Sequence, residues 1–100
     1  MKIDLKREND VLTISLGGRL DTSTAPELDD ALNGALEGVK TLYFDFKDLD
    51  YLSSAGLRIL LITHKTMSKQ GKMILRNVND LIMETFDMTG FSSILTIEEA

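Results

Sequence analysis

Residues Thr41 to Leu75, TLYFDFKDLDYLSSAGLRILLITHKTMSKQGKMIL, decide the fold. Thr41 to Phe46 is a short strand-like run. Lys47-Asp48-Leu49-Asp50-Tyr51-Leu52 reads as a charged turn leading into Ser53-Ser54-Ala55-Gly56. From there the period changes. Leu57, Leu60, Leu61, His64 and Met67 or Ser68 recur on one side, and Ile59 and Ile62 widen the apolar face, so the pattern predicts a well-buried helix. Gln70-Gly71 stops it, and Lys72 to Leu75 gives the next strand. A strand, a helix and a strand in succession imply parallel pairing with a right-handed crossover.

The flanks repeat the unit. Ile3 and Leu5 alternate weakly with Lys2, Asp4 and Lys6, Asn9-Asp10 is a turn pair, and Val11, Thr13, Ser15 alternate with Leu12, Ile14, Leu16. The second strand is expected to end at Gly17-Gly18, close enough to the first to form a hairpin. A polar loop, Leu20 to Thr24, precedes a helix start in which Thr24 as N-cap puts Glu27 at N3, a capping box, with Pro26 in the first turn. Leu28, Ala31, Leu32, Ala35 and Leu36 share one face, and Gly38 is placed to end this helix. Downstream, Asn77 or Asn79 caps a third helix carrying Val78, Leu81, Ile82, Met83 and Phe86, closed by Met88-Thr89-Gly90. Ile94 to Ile97 gives a fifth strand, and Glu98-Glu99-Ala100 trails off.

The order β-β-α-β-α-β-α-β predicts an α/β fold in one domain over residues 1–100. Its sheet is mixed, with five strands in the order 1-2-3-4-5, the first antiparallel to the second. With right-handed crossovers and each strand added beside the last, all three helices fall on one face. The other face is then only partly covered. Its apolar residues are either shielded by side chains of the first strand or used for contact.

Composition narrows the function. Sixteen acids against 11 bases give a net charge of −5, which argues against a general nucleic-acid binder and against a basic membrane-surface helix. The chain has no Cys and one His, which excludes thiolate chemistry and a multi-His zinc site. No run of 18 apolar residues exists to span a bilayer, and MKIDLKREND has no apolar h-region, so a mature cytoplasmic protein is expected. Aliphatic residues dominate a hydrophobic fraction of 43%, enough for one core but leaving little for a deep enclosed active site.

Four groups of residues bear on chemistry. Ser53-Ser54-Ala55-Gly56 puts two hydroxyls where a loop becomes a helix. One of them serves as N-cap on the plainest reading; an exposed hydroxyl there is also poised for an added phosphate, which the helix start favours. Asp21, Thr22, Ser23 and Thr24 form a second polar cluster, on a loop leaving the C-terminal edge of a neighbouring strand. Capping explains Thr24, whereas Asp21 need not cap anything. Asp45, Asp48 and Asp50 read as a solvated acidic run; magnesium wants one or two carboxylates, but this spacing is not diagnostic. His64 falls on the buried face with no partner Cys or His and reads as structural, and Met67, Met73, Met83 and Met88 read as core filling. The distance of about 15 Å along the same helix from His64 to Ser53 and Ser54 argues against a hydrolytic triad. Gly17-Gly18 lacks the context of a nucleotide-binding fingerprint.

Three blocks resemble the STAS domain of bacterial anti-sigma factor antagonists: Gly18 to Leu28, Asp45 to Leu60, and Phe86 to Phe91. The middle block, with Leu52-Ser53-Ser54-Ala55-Gly56-Leu57-Arg58, is the most specific. The resemblance implies a partner switch. The unmodified antagonist binds an anti-sigma factor that is also a serine kinase, and the sigma factor is released. Phosphorylation of the antagonist breaks the complex, and a PP2C-type phosphatase restores it. The family's acceptor stands two residues before the loop Gly, which is Ser54 here; the preceding position, often Asp, is Ser53, and the following one, often Ser or Thr, is Ala55. The resemblance further implies partner contacts from Asp21, Thr22, Ser23, Thr24, Ser53, Ser54, Ala55, Gly56 and Arg58, no cofactor, and no catalysis. Two alternatives stand beside it. One is a phosphorylation-independent STAS subunit of a transport or sensory complex. The other is a small enzyme or ligand-binding protein using the Asp21 and Ser54 loops, which needs a concave pocket with a perturbed titrating group.

Overall fold

The computed structural model describes residues 1–98 of the chain. Five strands and three helices follow one another as β1 (Lys2–Glu8), β2 (Val11–Leu20), α1 (Ala25–Leu32), β3 (Thr41–Leu52), α2 (Ser54–Ser68), β4 (Lys72–Arg76), α3 (Asp80–Thr89) and β5 (Thr96–Ile97). The sheet order is β1-β2-β3-β4-β5, with β1 antiparallel to β2 and every other pair parallel. The helices pack on one face, as the crossover rule predicts. Leu12, Ile14 and Leu16 of β2, Leu42, Phe44 and Phe46 of β3, and Met73 and Leu75 of β4 point into the core beneath them. Leu28 of α1, Leu57, Leu60 and Met67 of α2, and Ile82 and Phe86 of α3 close it from above.

Strand pairing fixes what occupies the other face. Thr13 aligns with Tyr43 and Tyr43 with Ile74, while Ser15 aligns with Asp45 and Asp45 with Arg76. This face is mostly polar, and the Arg76 guanidinium lies 3.6 Å from the centre of the Tyr43 ring. Ile3 and Leu5 of β1 pair with Leu16 and Ile14, so they sit on the helix side and do not shield the open face.

The two longest strands run further than expected. β2 continues through Gly17-Gly18 to Leu20, and β3 continues through the charged segment to Leu52. From Ser15 to Gly17 the partner advances from Asp45 to Asp48, and from Gly18 to Arg19 it advances from Leu49 to Tyr51. Each step inserts one extra residue into β3, the signature of a bulge. The buried positions of β3 therefore change spacing from Leu42, Phe44, Phe46 to Phe46, Leu49, Leu52. The alternation ends at Lys47, yet the strand does not.

Three further expectations are corrected. α1 ends at Leu32, not near Gly38: Asn33 and Gly34 are poor helix formers, and Gly34 takes φ 79°. The Gln70 side-chain amide then donates to the carbonyls of Leu36 and Val39 at 2.6 and 2.7 Å, holding the turns after α1 against the end of α2. The last strand shrinks to Thr96–Ile97, because a 3-10 turn over Phe91–Ser93 follows Gly90 and uses the preceding residues. Ile62 and Met88, both expected in the core, are 57% and 81% exposed. The expected trailing end lies partly outside the described residues, which stop at Glu98.

Candidate functional site

The ends of β2 and β3 bring the two polar loops together. Leu20 aligns with Leu52, and the Ser53 amide donates to the Leu20 carbonyl at 2.9 Å. One residue further along each strand are Asp21 and Ser53. Gly56, in the first turn of α2, lies directly on this pair of leucines. A Cβ there would stand 2.6 Å from Leu52 Cδ1 and 2.7 Å from Leu20 Cγ, so only glycine lets α2 settle this closely on the strand ends.

At the start of α2 the structure separates the two serines. Ser53 is the N-cap, in extended backbone, and its hydroxyl oxygen accepts from the Gly56 amide at 3.5 Å. Ser54 is the first helical residue and is exposed. Its hydroxyl makes no hydrogen bond among the described residues. Arg58, one turn further on, is exposed and in no ion pair among the described residues.

The Asp21 loop is organised by its own side chains. Asp21 Oδ1 accepts from the Ser23 amide at 3.0 Å, the Ser23 hydroxyl at 2.7 Å and the Thr24 amide at 3.2 Å. The Asp21 carboxylate thus closes its own loop, while Thr24 holds the N-cap position of α1 without a side-chain cap bond. The capping box is replaced: the Thr24 hydroxyl donates to the Arg19 carbonyl at 2.7 Å and accepts from the Asp21 amide at 2.9 Å, facing back into the loop. The Ser23 hydroxyl is the largest of the effects that hold the Asp21 carboxyl below the usual carboxylate range; desolvation, next in size, opposes it, and the Thr24 and Ser23 amides and the Thr24 hydroxyl add to the lowering. Thr22 makes none of these bonds and is exposed.

Sequence reasoning missed the brace beneath this loop. The Arg19 guanidinium lies 4.2 Å from the centre of the Tyr51 ring, and its Nε is 3.6 Å from Asp21 Oδ2. The signal was present in the matching triplets Arg19-Leu20-Asp21 and Tyr51-Leu52-Ser53, each an exposed residue, a buried leucine and a loop polar residue. Asp45, expected in a solvated run, accepts from the Lys47 amide at 3.0 Å and from Asn77 Nδ2 at 2.9 Å, and so ties the bulge to the turn before α3. Asn79 caps α3 through the Ile82 amide and donates to the carbonyl of Leu49 at 3.0 Å. No group of three or more His, Asp or Glu side chains among the described residues is arranged to hold a metal ion.

Thr22, Ser54, Ala55 and Arg58 share the rim of a shallow hollow of about 470 Å³ between α1 and α2, with Pro26 and Ile62 on its walls. It opens widely to solvent and is not an enclosed cavity. The hollow runs on between the same two helices past Asp29, Ile59 and Ile62 towards Glu37 and Gln70. Of the expected contact residues, Thr22, Ser54, Ala55 and Arg58 thus meet at this hollow. Gly56, by contrast, is buried and shapes the patch from beneath.

The STAS domain model matches residues 2–100. The chain is 30% identical over 98 residues to the anti-sigma-B factor antagonist of Bacillus subtilis, covering 97% of this chain and 90% of that protein. Its fold is that of an anti-sigma factor antagonist from Mycobacterium paratuberculosis, with a TM-score of 0.89, 21% identity, and 99% and 86% of the two chains covered. The Bacillus cell fate determinant SpoIIAA in its phosphorylated form has the same fold, with a TM-score of 0.75 and 20% identity over 98% of this chain and 92% of that one. No helix among the described residues is long and apolar enough to cross a membrane. The chain therefore belongs to the STAS domain family, in its anti-sigma factor antagonist group.

Proposed function

We propose that the unmodified protein binds an anti-sigma factor that is also a serine kinase, and that this kinase ends the complex by phosphorylating Ser54. The protein is a binding module and a kinase substrate. The observation that carries the reading is the division of labour at the start of α2: Ser53 caps the helix, which leaves the Ser54 hydroxyl exposed and free of hydrogen bonds among the described residues. A kinase takes such a hydroxyl without first breaking a structural bond. Asp21, Thr22, Ser23, Thr24, Ser53, Ala55 and Arg58 surround it as contact surface, held in place by the Leu20–Ser53 bond and by Gly56.

Phosphorylation adds a charge of about −1.5 to −2 to that patch. In a docked interface the new charge is desolvated and meets groups chosen for a neutral hydroxyl. A penalty of about 2.8 kcal/mol already weakens binding about a hundredfold, within the range of a like-charge or unpaired-charge mismatch. Removal of the phosphate by a PP2C-type phosphatase resets the surface. The test is incubation with ATP and the serine kinase anti-sigma factor of the same genome, followed by peptide mass spectrometry. Phosphate on Ser54 alone is expected. Phosphate on Ser53 or on Thr22 to Thr24, or on no residue, overturns the assignment.

A further inference from the structure

We infer that Arg58 is the built-in counter-ion of the Ser54 phosphate, and that phosphorylation turns it from a free surface cation into the partner of an intrahelical ion pair. The inference rests on Ser54 as the modified residue and adds what that modification does to the protein's own surface.

Ser54 and Arg58 stand four residues apart in α2, which spans Ser54–Ser68. That spacing places two side chains on one helix face with their Cβ atoms about 5–6 Å apart, an acid N-terminal to a base being the favourable order. A serine phosphate carries its oxygens outward from Cβ, and a guanidinium fork reaches back one turn to meet them with charge-assisted hydrogen bonds. Both residues are exposed and line the same hollow. Among the described residues Arg58 is exposed, forms no ion pair, and is the only Lys or Arg bordering the hollow. Asp29, the acid that lines the same hollow, belongs to α1 and carries one charge against about two on a phosphate.

Phosphorylation then changes two things at once. An anion appears at Ser54, and the single cation on the hollow's rim is consumed by it. A partner carboxylate that pairs with Arg58 in the complex loses its counter-charge and also faces a phosphate. Arg58 in turn holds the phosphate in its fully ionised form at neutral pH.

The test uses full-length protein with phosphoserine installed genetically at position 54, which needs no kinase. The second ionisation of the phosphate is followed by 31P NMR against pH. With Arg58 present its pKa is expected to lie at least about 0.5 unit below that in the Arg58→Gln protein, a threefold change in ionisation constant, with Arg58→Lys recovering part of the shift. Equal pKa values in all three proteins overturn the inference. Thermal melts of the unmodified variants are expected to superimpose, since Arg58 is exposed and unpaired among the described residues. A kinase that fails to label Ser54 defeats the functional reading and leaves this titration standing. Equal pKa values defeat Arg58 and leave the kinase mapping standing.

Discussion

Ser53→Ala and Ser54→Ala are neighbouring substitutions of identical chemistry, and the structure assigns them opposite consequences. Ser53 supplies the N-cap bond to the Gly56 amide, at 3.5 Å the long limit of such a bond. Losing an N-cap costs about 0.5–2 kcal/mol, and so long a bond belongs at the lower end, about 0.5–1 kcal/mol. In a domain of this size that lowers Tm by about 2–8 °C. Ser54 is exposed and already helical, so its loss removes no bond seen among the described residues, and alanine is the better helix former by a few tenths of a kcal/mol. Ser54→Ala is therefore expected to melt at or slightly above the wild-type temperature. The assay is urea unfolding at equilibrium with thermal melts alongside. In function the order is expected to reverse: Ser53→Ala is expected still to accept phosphate, and Ser54→Ala to accept none and to bind the anti-sigma factor constitutively. A larger loss of stability in Ser54→Ala than in Ser53→Ala refutes the assignment of cap and acceptor.

Asp21→Asn tests the loop through pH. The folded state depresses the Asp21 pKa, so the carboxylate's contribution is complete above the unfolded value of about 3.9 and is lost as pH falls through the lower folded value. Wild type is expected to be the more stable protein at neutral pH, with the gap constant down to about pH 4 and closing below it; a gap that widens in acid contradicts this. Gly56→Ala drives a methyl against Leu20 and Leu52, which costs about 1–3 kcal/mol by overpacking, partly offset by about 1 kcal/mol of helix propensity. Partner affinity is expected to fall in calorimetry even where the melt changes little, because α2 must lift from the strand ends; unchanged affinity would show that this contact does not position Ser54.

Much of this architecture was legible because periodicity reports burial. Leu12, Ile14, Leu16 and Leu57, Leu60, Met67 mark their elements directly, and the β-β-α-β-α-β-α-β order leaves few topologies once crossovers are right-handed. The ends of β2 and β3 were not legible. A bulge breaks the two-residue alternation without ending the strand, and a charged stretch such as Lys47-Asp48 then looks like a turn. Ile62 fits the apolar helical pattern and yet faces solvent, because spacing cannot say whether a neighbouring element arrives to cover it. At the site, residue type and position singled out Ser53 and Ser54, but which of them caps depends on backbone angles that no spacing encodes. The brace of Arg19, Tyr51 and Asp21 joins two strands; the matching triplets mark its members, and the register of the sheet brings them together.

The central claim is that a phosphate on Ser54 switches partner binding. Calorimetry with the serine kinase anti-sigma factor, comparing unmodified protein with protein carrying genetically installed phosphoserine at position 54, tests it most directly. At least about a hundredfold weaker binding of the phosphorylated form is predicted, with affinity restored by phosphatase treatment. Equal affinities of the two forms would contradict the account.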